Sequence, residues 1–253
     1  MNAAVRTTYP VLGAPIDAID MPQAVSRIST WARERQSRYV CICNVHSVVT
    51  ASEDAAFMKI VAAADIATPD GAPVAWMLRR QGAGGQLRVS GPDLMAAYCA
   101  HAAASAEPLF LYGSTEDTLR RLQLELRRRW PALRIVGTHS PPFRPLSAAE
   151  DDAVVRQINQ SGAGTVWVSL GCPKQEQWMA AHRGRIDAVM IGVGAAFDFH
   201  AGTVARAPAW MRDHGLEWLH RLCSEPGRLW KRYLHTNSVF VAAALRQLLA
   251  GGR

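Results

Sequence analysis

The sequence predicts an α/β protein with a mostly parallel sheet and helices on both faces. Short apolar runs, typical of buried strands, alternate along the chain with longer amphipathic stretches, typical of helices. This alternation favours a parallel sheet, because a crossover helix joins each pair of parallel strands. From about residue 206 the strand-like runs stop, which predicts a helical C-terminal appendage.

The N-terminal part of the chain predicts a hairpin, two strands and the helices between them. The hairpin lies at residues 11–17, and apolar residues at helical spacing predict a helix at about 22–35. A strand at 39–43 is followed by two helical stretches. A short strand at 65–68 then ends in a proline- and glycine-rich turn, and a helix runs through 74–80.

The rest of the body is a regular succession of strands and helices. Predicted strands lie at residues 108–112, 133–138, 165–170 and 188–193, with helices at 115–130, at 148–160 and from about 174. Two helices, 208–225 and 228–249, are predicted for the appendage, because Pro226 and Gly227 interrupt the helical pattern. The predicted domains are an α/β body at residues 1–205 and the appendage at 206–253.

Composition limits the classes of function. The chain has 253 residues, with 28 lysines and arginines against 21 acidic residues and a net charge of +7. This charge favours an anionic partner, whether a nucleotide, a nucleic acid or an acidic membrane, without choosing among them. No apolar stretch reaches the roughly 18–20 residues that span a bilayer, so any membrane contact is expected to be peripheral.

The cysteines indicate a reducing compartment. The chain has five, with no C-x-x-C pair and no cysteine–histidine spacing typical of zinc. The N-terminal residues do not resemble a signal peptide. We therefore expect reduced thiols in a cytoplasmic protein without a metal site.

Polar residues gather directly after the predicted strands. They are Asn44 and His46, Asp70, Gly113 and Ser114, Lys174 to Glu176, and Gly194 to Asp198. The carboxyl ends of parallel strands lie at one edge of a sheet, so these loops are expected to surround a single cleft. At Gly171–Trp178 the glycine permits a sharp turn, and the helix start that follows is receptive to phosphate.

Asp70 is the strongest candidate for chemistry. Pro69, Gly71 and Pro73 make its turn stiff, and an apolar cleft would raise the pKa of its carboxyl so that it can act as a general base. The alternative is that Asp70 caps the helix that follows. For Asp198, between two phenylalanines, a structural hydrogen bond is favoured over catalysis. His46 and His200 are expected to serve packing.

The second appendage helix carries a basic arc. Arg228, Lys231, Arg232 and His235 share one side, and Leu229, Trp230, Tyr233, Leu234 and Phe240 are expected on the other. Three interpretations stay open. The helix can lie on anionic lipid, its arginines can reach a diphosphate, or it can pack on the body with solvated cations.

Several ordered stretches resemble one family. These are LGAPID at 12–17, TPDGAPV at 68–74, RVSGPDLM at 88–95, GCPKQEQW at 171–178 and IGVGAAFDFHAGTVARAPAWMRDHGLEWLHRL at 191–222. Together they resemble the WecG/TagA/CpsF bacterial glycosyltransferases, glycosyltransferase family 26. The resemblance implies a Rossmann-like fold of the GT-E type, with an appendage that closes the active site and contacts the membrane.

The resemblance also implies an activity. It is the inverting, metal-independent transfer of a sugar from a UDP-sugar to a polyprenyl-diphosphate-linked saccharide, in cell-surface or exopolysaccharide biosynthesis. The enzyme would work at the inner face of the cytoplasmic membrane, without a cofactor and without nucleic acid, and relatives can self-associate. A hexose, N-acetylmannosamine and its uronic acid are all compatible donor sugars.

The family's site residues map onto this chain by motif. Asp70 corresponds to the catalytic base. Donor and nucleotide contacts are implied for Asn44, Gly71, Arg88, Gly91, Asp93, Gly113, Ser114, Gly171, Lys174, Gln175, Glu176 and Gly194. Diphosphate or lipid-acceptor contacts are implied for Arg206, Arg221, Arg228, Lys231 and Arg232. Ile42 and His46 stand where relatives often have threonine and an acid, so the donor sugar does not carry over.

Two other classes of function are compatible with the architecture. A nicotinamide-dependent oxidoreductase fits poorly, because Gly192–Phe197 lacks the third glycine of the dinucleotide fingerprint. A non-catalytic module that binds anionic ligands or membranes would suit the net charge but leave Asp70 and Gln175 without a purpose.

Overall fold

The computed structural model describes residues 6–251, apart from the side chains of Asp213 and Arg228. Its centre is a six-stranded sheet in which all neighbouring strands are parallel. The strands are β3 (Arg38–Cys43), β4 (Ile66–Pro69), β5 (Pro108–Gly113), β6 (Arg134–His139), β7 (Thr165–Ser169) and β8 (Val189–Gly192). Their order is β4-β3-β8-β7-β5-β6. The predicted α/β class with a parallel sheet is confirmed.

An N-terminal hairpin flanks one edge of this sheet. Strands β1 (Thr8–Val11) and β2 (Ala14–Asp17) pair antiparallel across a turn at Leu12 and Gly13, both with positive φ. Asp17 Oδ2 accepts a hydrogen bond from the Ala67 amide of β4 at 2.6 Å. The hairpin therefore satisfies a backbone donor on a strand edge that would otherwise be unpaired.

Helices cover both faces of the sheet, as predicted. They are α1 (Met21–Arg33), α2 (Val45–Glu53), α3 (Ala55–Ala62), α4 (Ala72–Arg80), α5 (Gly91–Ser105), α6 (Glu116–Arg129), α7 (Ala148–Ser161), α8 (Lys174–His182) and α9 (Ala196–Ala201). Alternate strand residues enter two separate apolar clusters: Phe110 and Tyr112 join one, and Leu109 and Leu111 join the other. Burial on both faces explains why the strand sequences are continuously apolar.

Within the described residues, up to 251, the C-terminal segment forms three helices rather than the predicted two. They are α10 (Ala209–Asp213), α11 (Glu217–Ser224) and α12 (Pro226–Gly251). The predicted single helix at 208–225 is wrong, because the chain turns at Gly215, whose φ of 72° is readily adopted only by glycine. Among the described residues, no helix is long and apolar enough to cross a membrane.

Helix α12 packs along α2, and Gln247 near its end is hydrogen-bonded to the backbone of the hairpin. Leu229, Phe240 and Ala244 are buried, whereas Trp230 is 49% and Leu234 64% exposed. The expectation that Leu229, Trp230, Leu234 and Phe240 share a face is therefore wrong. Their spacing places Leu229 and Phe240 on the side toward the body, with Trp230 about a quarter turn and Leu234 about a third of a turn away from it.

Candidate active site

The loops after five strands meet at the carboxyl edge of the sheet, as the sequence predicted. The Asp70 amide donates to Cys43 O at 3.0 Å, which ties the loop after β4 to the end of β3. The Ser114 amide donates to Ser169 O, also at 3.0 Å, and the Ser169 hydroxyl donates to Gly194 O at 2.8 Å. These bonds join the ends of β5, β7 and β8. Asp70 and Gln175 therefore lie at the same edge of the sheet.

Asp70 as a whole residue is partly exposed at this edge, but its carboxyl is largely removed from solvent. This burial raises the pKa of the carboxyl to about 6, and the negative charges of Glu217 and Asp93 act in the same direction. Arg88 and the Gly71 amide lower the pKa, but by less. At neutral pH the group is mostly ionised and a stronger base than an ordinary aspartate.

The alternative that Asp70 caps the next helix is wrong. The N-cap of α4 is Gly71, which supplies no side-chain capping hydrogen bond, and the Asp70 carboxyl contacts the amide of Gly71 itself. Gly71 has a φ of 81°, which side-chain-bearing residues rarely adopt. The glycine turn therefore separates Asp70 from the helix and leaves its carboxylate at the strand end.

An ion-pair cluster lies beside Asp70. It consists of Arg88, Asp93, Arg206, Arg212 and Glu217. Asp93 accepts a hydrogen bond from Arg206 at 2.7 Å and lies 3.4 Å from Arg88 Nη2 and 3.7 Å from Arg212 Nη1. Glu217 lies 3.3 Å from Arg88 Nη1 and 3.5 Å from Arg206 Nε.

Charge within the ion-pair cluster is unequal, with three guanidinium groups against two carboxylates. Burial alone would raise the pKa of Asp93, but hydrogen bonds from Arg206 and Ser90 and the charges of Arg206 and Arg88 lower it to about 2. Arg206 Nη2 and Arg212 Nε are buried and have no hydrogen-bond partner within the described residues. These groups retain capacity to bind an anion.

The start of α8 is more enclosed than expected. Gln175 and Glu176 are only 4% and 1% exposed, whereas Lys174 is exposed. Gln175 Nε2 donates to Glu176 Oε1 at 2.9 Å, and Gln175 Oε1 accepts from the Gly194 amide at 3.0 Å. Both polar ends of Gln175 therefore contact the protein, and its side chain fixes the position of the loop after β8.

Glu176 is a buried acid at the same helix start. Burial raises the pKa of its carboxyl, although the hydrogen bond from Gln175 and bonds from the Glu176 backbone and Cys172 lower it. Gly192 makes room for this pair, because a Cβ there would lie 2.8 Å from Met179 Cε and 3.0 Å from Gln175 Nε2.

The Gly113–Ser114 turn differs from its expected role. Gly113 has a φ of 110°, and a Cβ there would lie 2.3 Å from Ser169 O, so glycine is required. The Ser114 amide is already bonded to that same oxygen. The amide of Ser114, a residue for which the resemblance implies a donor or nucleotide contact, is therefore already used within the protein.

The other predicted glycines serve different purposes. Gly91 lets the start of α5 approach the end of β8, because a Cβ there would lie 3.0 Å from Val193 O. Gly171 is exposed, has a φ of 77° and faces open space. Asn44 caps α2 through its side chain, which accepts from the Ser47 amide at 3.1 Å.

The predicted cations of the C-terminal segment do not form one group. The Arg221 guanidinium lies over the Phe199 ring at 5.6 Å. Arg232 lies near His46, whose pKa is lowered by burial first and by the Arg232 charge second. Lys231 is exposed, with Nζ 5.5 Å from the centre of the Trp230 ring. The Arg228 side chain lies outside the described residues.

The predicted basic arc on α12 also needs correction. His235 lies 3.0 Å from Glu53 of α2. It therefore pairs with an acid of the body at an exposed contact and does not extend an unpaired basic face. The packing role expected of His200 agrees with the structure, because this residue is buried with Nε2 2.9 Å from Pro92 O. For Asp198, the structural hydrogen bond favoured by the sequence has a counterpart in the Thr203 hydroxyl, which donates to Asp198 Oδ1 at 3.5 Å.

Sequence reasoning missed Arg212 and Glu217. Both lie in the matched stretch at 191–222, but no local spacing pairs Glu217 with Arg88, which is 129 residues away along the chain. Only the turn at Gly215 and the docking of α11 bring them together. Among the described residues, no three histidine, cysteine, aspartate or glutamate side chains are grouped so that they could hold a metal ion.

Comparison with known families agrees with these features. The sequence model of the Glycosyl transferase WecG/TagA/CpsF family matches residues 9–253, which includes the strand-end loops, the ion-pair cluster and α12. The match covers nearly the whole chain. The protein therefore belongs to the WecG/TagA/CpsF glycosyltransferase family.

Proposed function

We propose that the protein transfers a sugar from a UDP-sugar to a polyprenyl-diphosphate-linked saccharide, with inversion at the anomeric carbon. The observation that carries this proposal is the position of Asp70. Its carboxylate lies at the carboxyl edge of the sheet with a pKa raised to about 6, beside the ion-pair cluster, in which guanidinium groups outnumber carboxylates. Membership of the family supports sugar transfer itself. The identities of donor and acceptor rest on the resemblance.

The mechanism is a single displacement. Asp70 removes the proton from the acceptor hydroxyl, and the oxygen attacks the anomeric carbon on the side opposite UDP. The bond between that carbon and the diphosphate oxygen breaks as the new glycosidic bond forms. One general base suffices for this path, and its raised pKa matches it to neutral pH.

The leaving UDP needs compensation for its negative charge. Arg206 and Arg212 carry buried nitrogen atoms without hydrogen-bond partners within the described residues, and Arg221 Nε is in the same condition. We assign the departing diphosphate to guanidinium groups of this segment, without a metal ion or a cofactor. The Ser114 amide takes no part, because it is bonded to Ser169 O.

The acceptor would be presented at a membrane surface. Large apolar side chains are exposed along the C-terminal segment: Trp210, Trp218, Leu219, Trp230, Leu234, Val241, Leu245 and Leu249. Such a surface, with Lys231 beside it, suits an interfacial helix on anionic lipid. We propose that residues 206–253 close the site and contact the cytoplasmic membrane from its inner face.

A donor screen tests the proposal. Purified protein is incubated with a panel of UDP-sugars and a short-chain polyprenyl-diphosphate disaccharide, with and without a chelator. Transfer of one sugar with inverted anomeric configuration, unaffected by chelation, is expected. Retained configuration would contradict the mechanism, and loss of turnover on chelation would contradict metal independence.

A binding comparison separates the other classes of function. Thermal stabilisation by UDP, but not by NAD or short DNA, is expected, because a ligand that binds only the folded state raises Tm. Stabilisation by NAD would favour an oxidoreductase. Stabilisation by DNA alone would favour a non-catalytic module.

A further inference from the structure

The ion-pair cluster joins two parts of the chain. Arg88 and Asp93 belong to the α/β body, at the entry to α5 and in its first turn, whereas Arg206, Arg212 and Glu217 follow α9. The body contributes one carboxylate and one guanidinium, and the C-terminal segment contributes one carboxylate and two guanidinium groups. Pairing therefore runs in both directions across the contact, from Arg88 to Glu217 and from Arg206 to Asp93.

Glu217 is the acid that the C-terminal segment contributes to this contact. Its carboxylate faces both Arg88 and Arg206, and its side chain is 23% exposed. An ion pair of this partial burial is screened less by solvent than an exposed pair. Among the neighbouring charges, that of Glu217 has the largest influence on Asp70, whose pKa it raises.

We propose that Glu217 is a positioning residue. By pairing with Arg88 and Arg206, it holds the segment from Arg206 through α11 against the carboxyl edge of the sheet, beside Asp70. This inference rests on the proposed transferase function, since it takes Asp70 as the base. With the segment locked, Arg206 and Arg212 are held near the reaction centre. The charge of Glu217 also keeps Asp70 basic.

The test compares Glu217→Gln with a matched control, Glu53→Gln. Glu53 pairs with His235 of α12 at 3.0 Å, so the control also removes a charged contact between the C-terminal helices and the body. Both partners of that pair are largely exposed, and such pairs contribute little to stability. A difference between the two variants in hydrogen exchange or pH dependence therefore reports on the ion-pair cluster and not on the docking of α12 in general.

Two measurements are made on each full-length variant: amide hydrogen exchange across α10 and α11, and the pH dependence of sugar transfer. In Glu217→Gln, exchange is expected to rise about five- to thirtyfold, as for the loss of one or two kcal/mol locally. The acid limb of the pH profile is expected to move to lower pH, because Asp70 loses a neighbouring negative charge. Glu53→Gln is expected to change neither.

Conservative variants complete the design. Glu217→Asp keeps the charge and is expected to restore the acid limb and part of the exchange protection. Arg88→Lys keeps the positive charge but loses the planar guanidinium, which can pair with two carboxylates at once. The hydrogen-exchange rate of α10 and α11 in this variant is therefore expected to lie between those of the wild type and Glu217→Gln. These two variants carry the test if Glu217→Gln does not fold.

The outcomes are decisive in each direction. Unchanged exchange in Glu217→Gln, or an equal rise in Glu53→Gln, would overturn the lock. Raised exchange with an unshifted acid limb would overturn the influence on Asp70. If wild-type protein transfers no sugar, the proposed function fails, while hydrogen exchange still decides whether Glu217 locks the segment.

Discussion

Asp70 derives its chemistry from distant residues as much as from its own turn. The Pro69–Gly71 turn separates the carboxylate from the helix start, so it is not used as a cap. Burial and two acids from elsewhere in the chain, Glu217 and Asp93, then raise its pKa to about 6. A short motif thus supplies the group, and its surroundings adjust its affinity for the proton.

Replacing Asp70 with asparagine is expected to abolish most transfer. Loss of a general base typically costs about 10²–10⁴-fold in turnover. In the wild type, turnover is expected to fall as the pH drops through about 6, because protonated Asp70 cannot remove the proton from the hydroxyl of the acceptor saccharide. Steady-state rates across pH measure both effects. Asp152→Asn, at an exposed aspartate on α7, is the control, and full turnover by Asp70→Asn would refute the base assignment.

The same substitution is expected to stabilise the fold at neutral pH. The pKa of Asp70 rises from 3.8 when unfolded to about 6 when folded, so stability falls as the pH rises between these values. Asp70→Asn removes this penalty, which is about 1–3 kcal/mol above pH 6. Urea unfolding at neutral pH and near pH 4 measures the gain, most of which is expected to be lost at the lower pH. An equal gain at both would contradict the raised pKa.

Gly113 is expected to be intolerant of any side chain. Its φ is positive, and a Cβ would overlap Ser169 O at 2.3 Å, so Gly113→Ala is expected to destabilise the fold by about 2–4 kcal/mol. Gly184→Ala is the matched control. Gly184 also has a positive φ, of 82°, but its Cβ would meet open space, so only about 1–2 kcal/mol of backbone strain is expected. Urea unfolding measures both, and equal losses would show that the overlap with Ser169 is relieved.

Helix α12 has two apolar faces with different surroundings. Leu229, Phe240 and Ala244 are buried against the body, while Leu234 and Leu245 are exposed. The helix is also fastened by Gln247, which accepts from the Leu12 amide at 2.9 Å and donates to Pro10 O at 2.6 Å. One face therefore holds the helix in place and leaves the other open.

Substitutions on the two faces of α12 are expected to have opposite consequences. Leu245→Gln is expected to leave the free energy of unfolding nearly unchanged but to weaken binding to anionic vesicles, since it removes exposed apolar area. Phe240→Ala is expected to destabilise the fold by about 3–5 kcal/mol, the usual cost of deleting a buried phenylalanine. Urea unfolding and vesicle sedimentation separate the two. Undiminished vesicle binding by Leu245→Gln would argue against this face as the lipid contact.

The whole molecule combines a parallel sheet, which gathers loops at one edge, with an excess of positive charge. The net charge of +7 favours anionic surfaces, and Lys231 lies beside the exposed Trp230 of the open apolar face. Long-range attraction of this kind acts together with apolar contact in an interfacial protein.

Vesicle binding is therefore expected to depend on both salt and lipid charge. Raising the ionic strength from about 0.1 M to about 1 M shortens the Debye length from about 10 Å to about 3 Å. Binding to anionic vesicles is expected to weaken severalfold and binding to neutral vesicles to stay weak throughout. Salt-independent binding, measured by sedimentation, would indicate that apolar contact alone is responsible.

Local patterns in the sequence predicted the strands, most helices, the parallel sheet and the meeting of Asp70 with Gln175 at one edge. They did so because strand and helix periods, turn residues and the common direction of parallel strands are local or topological properties. The pairing of Glu217 with Arg88, the burial of Gln175 and the division of α12 into packed and open faces depended on tertiary structure. Each is a contact between residues far apart in the chain, and its free energy exists only once those segments have docked.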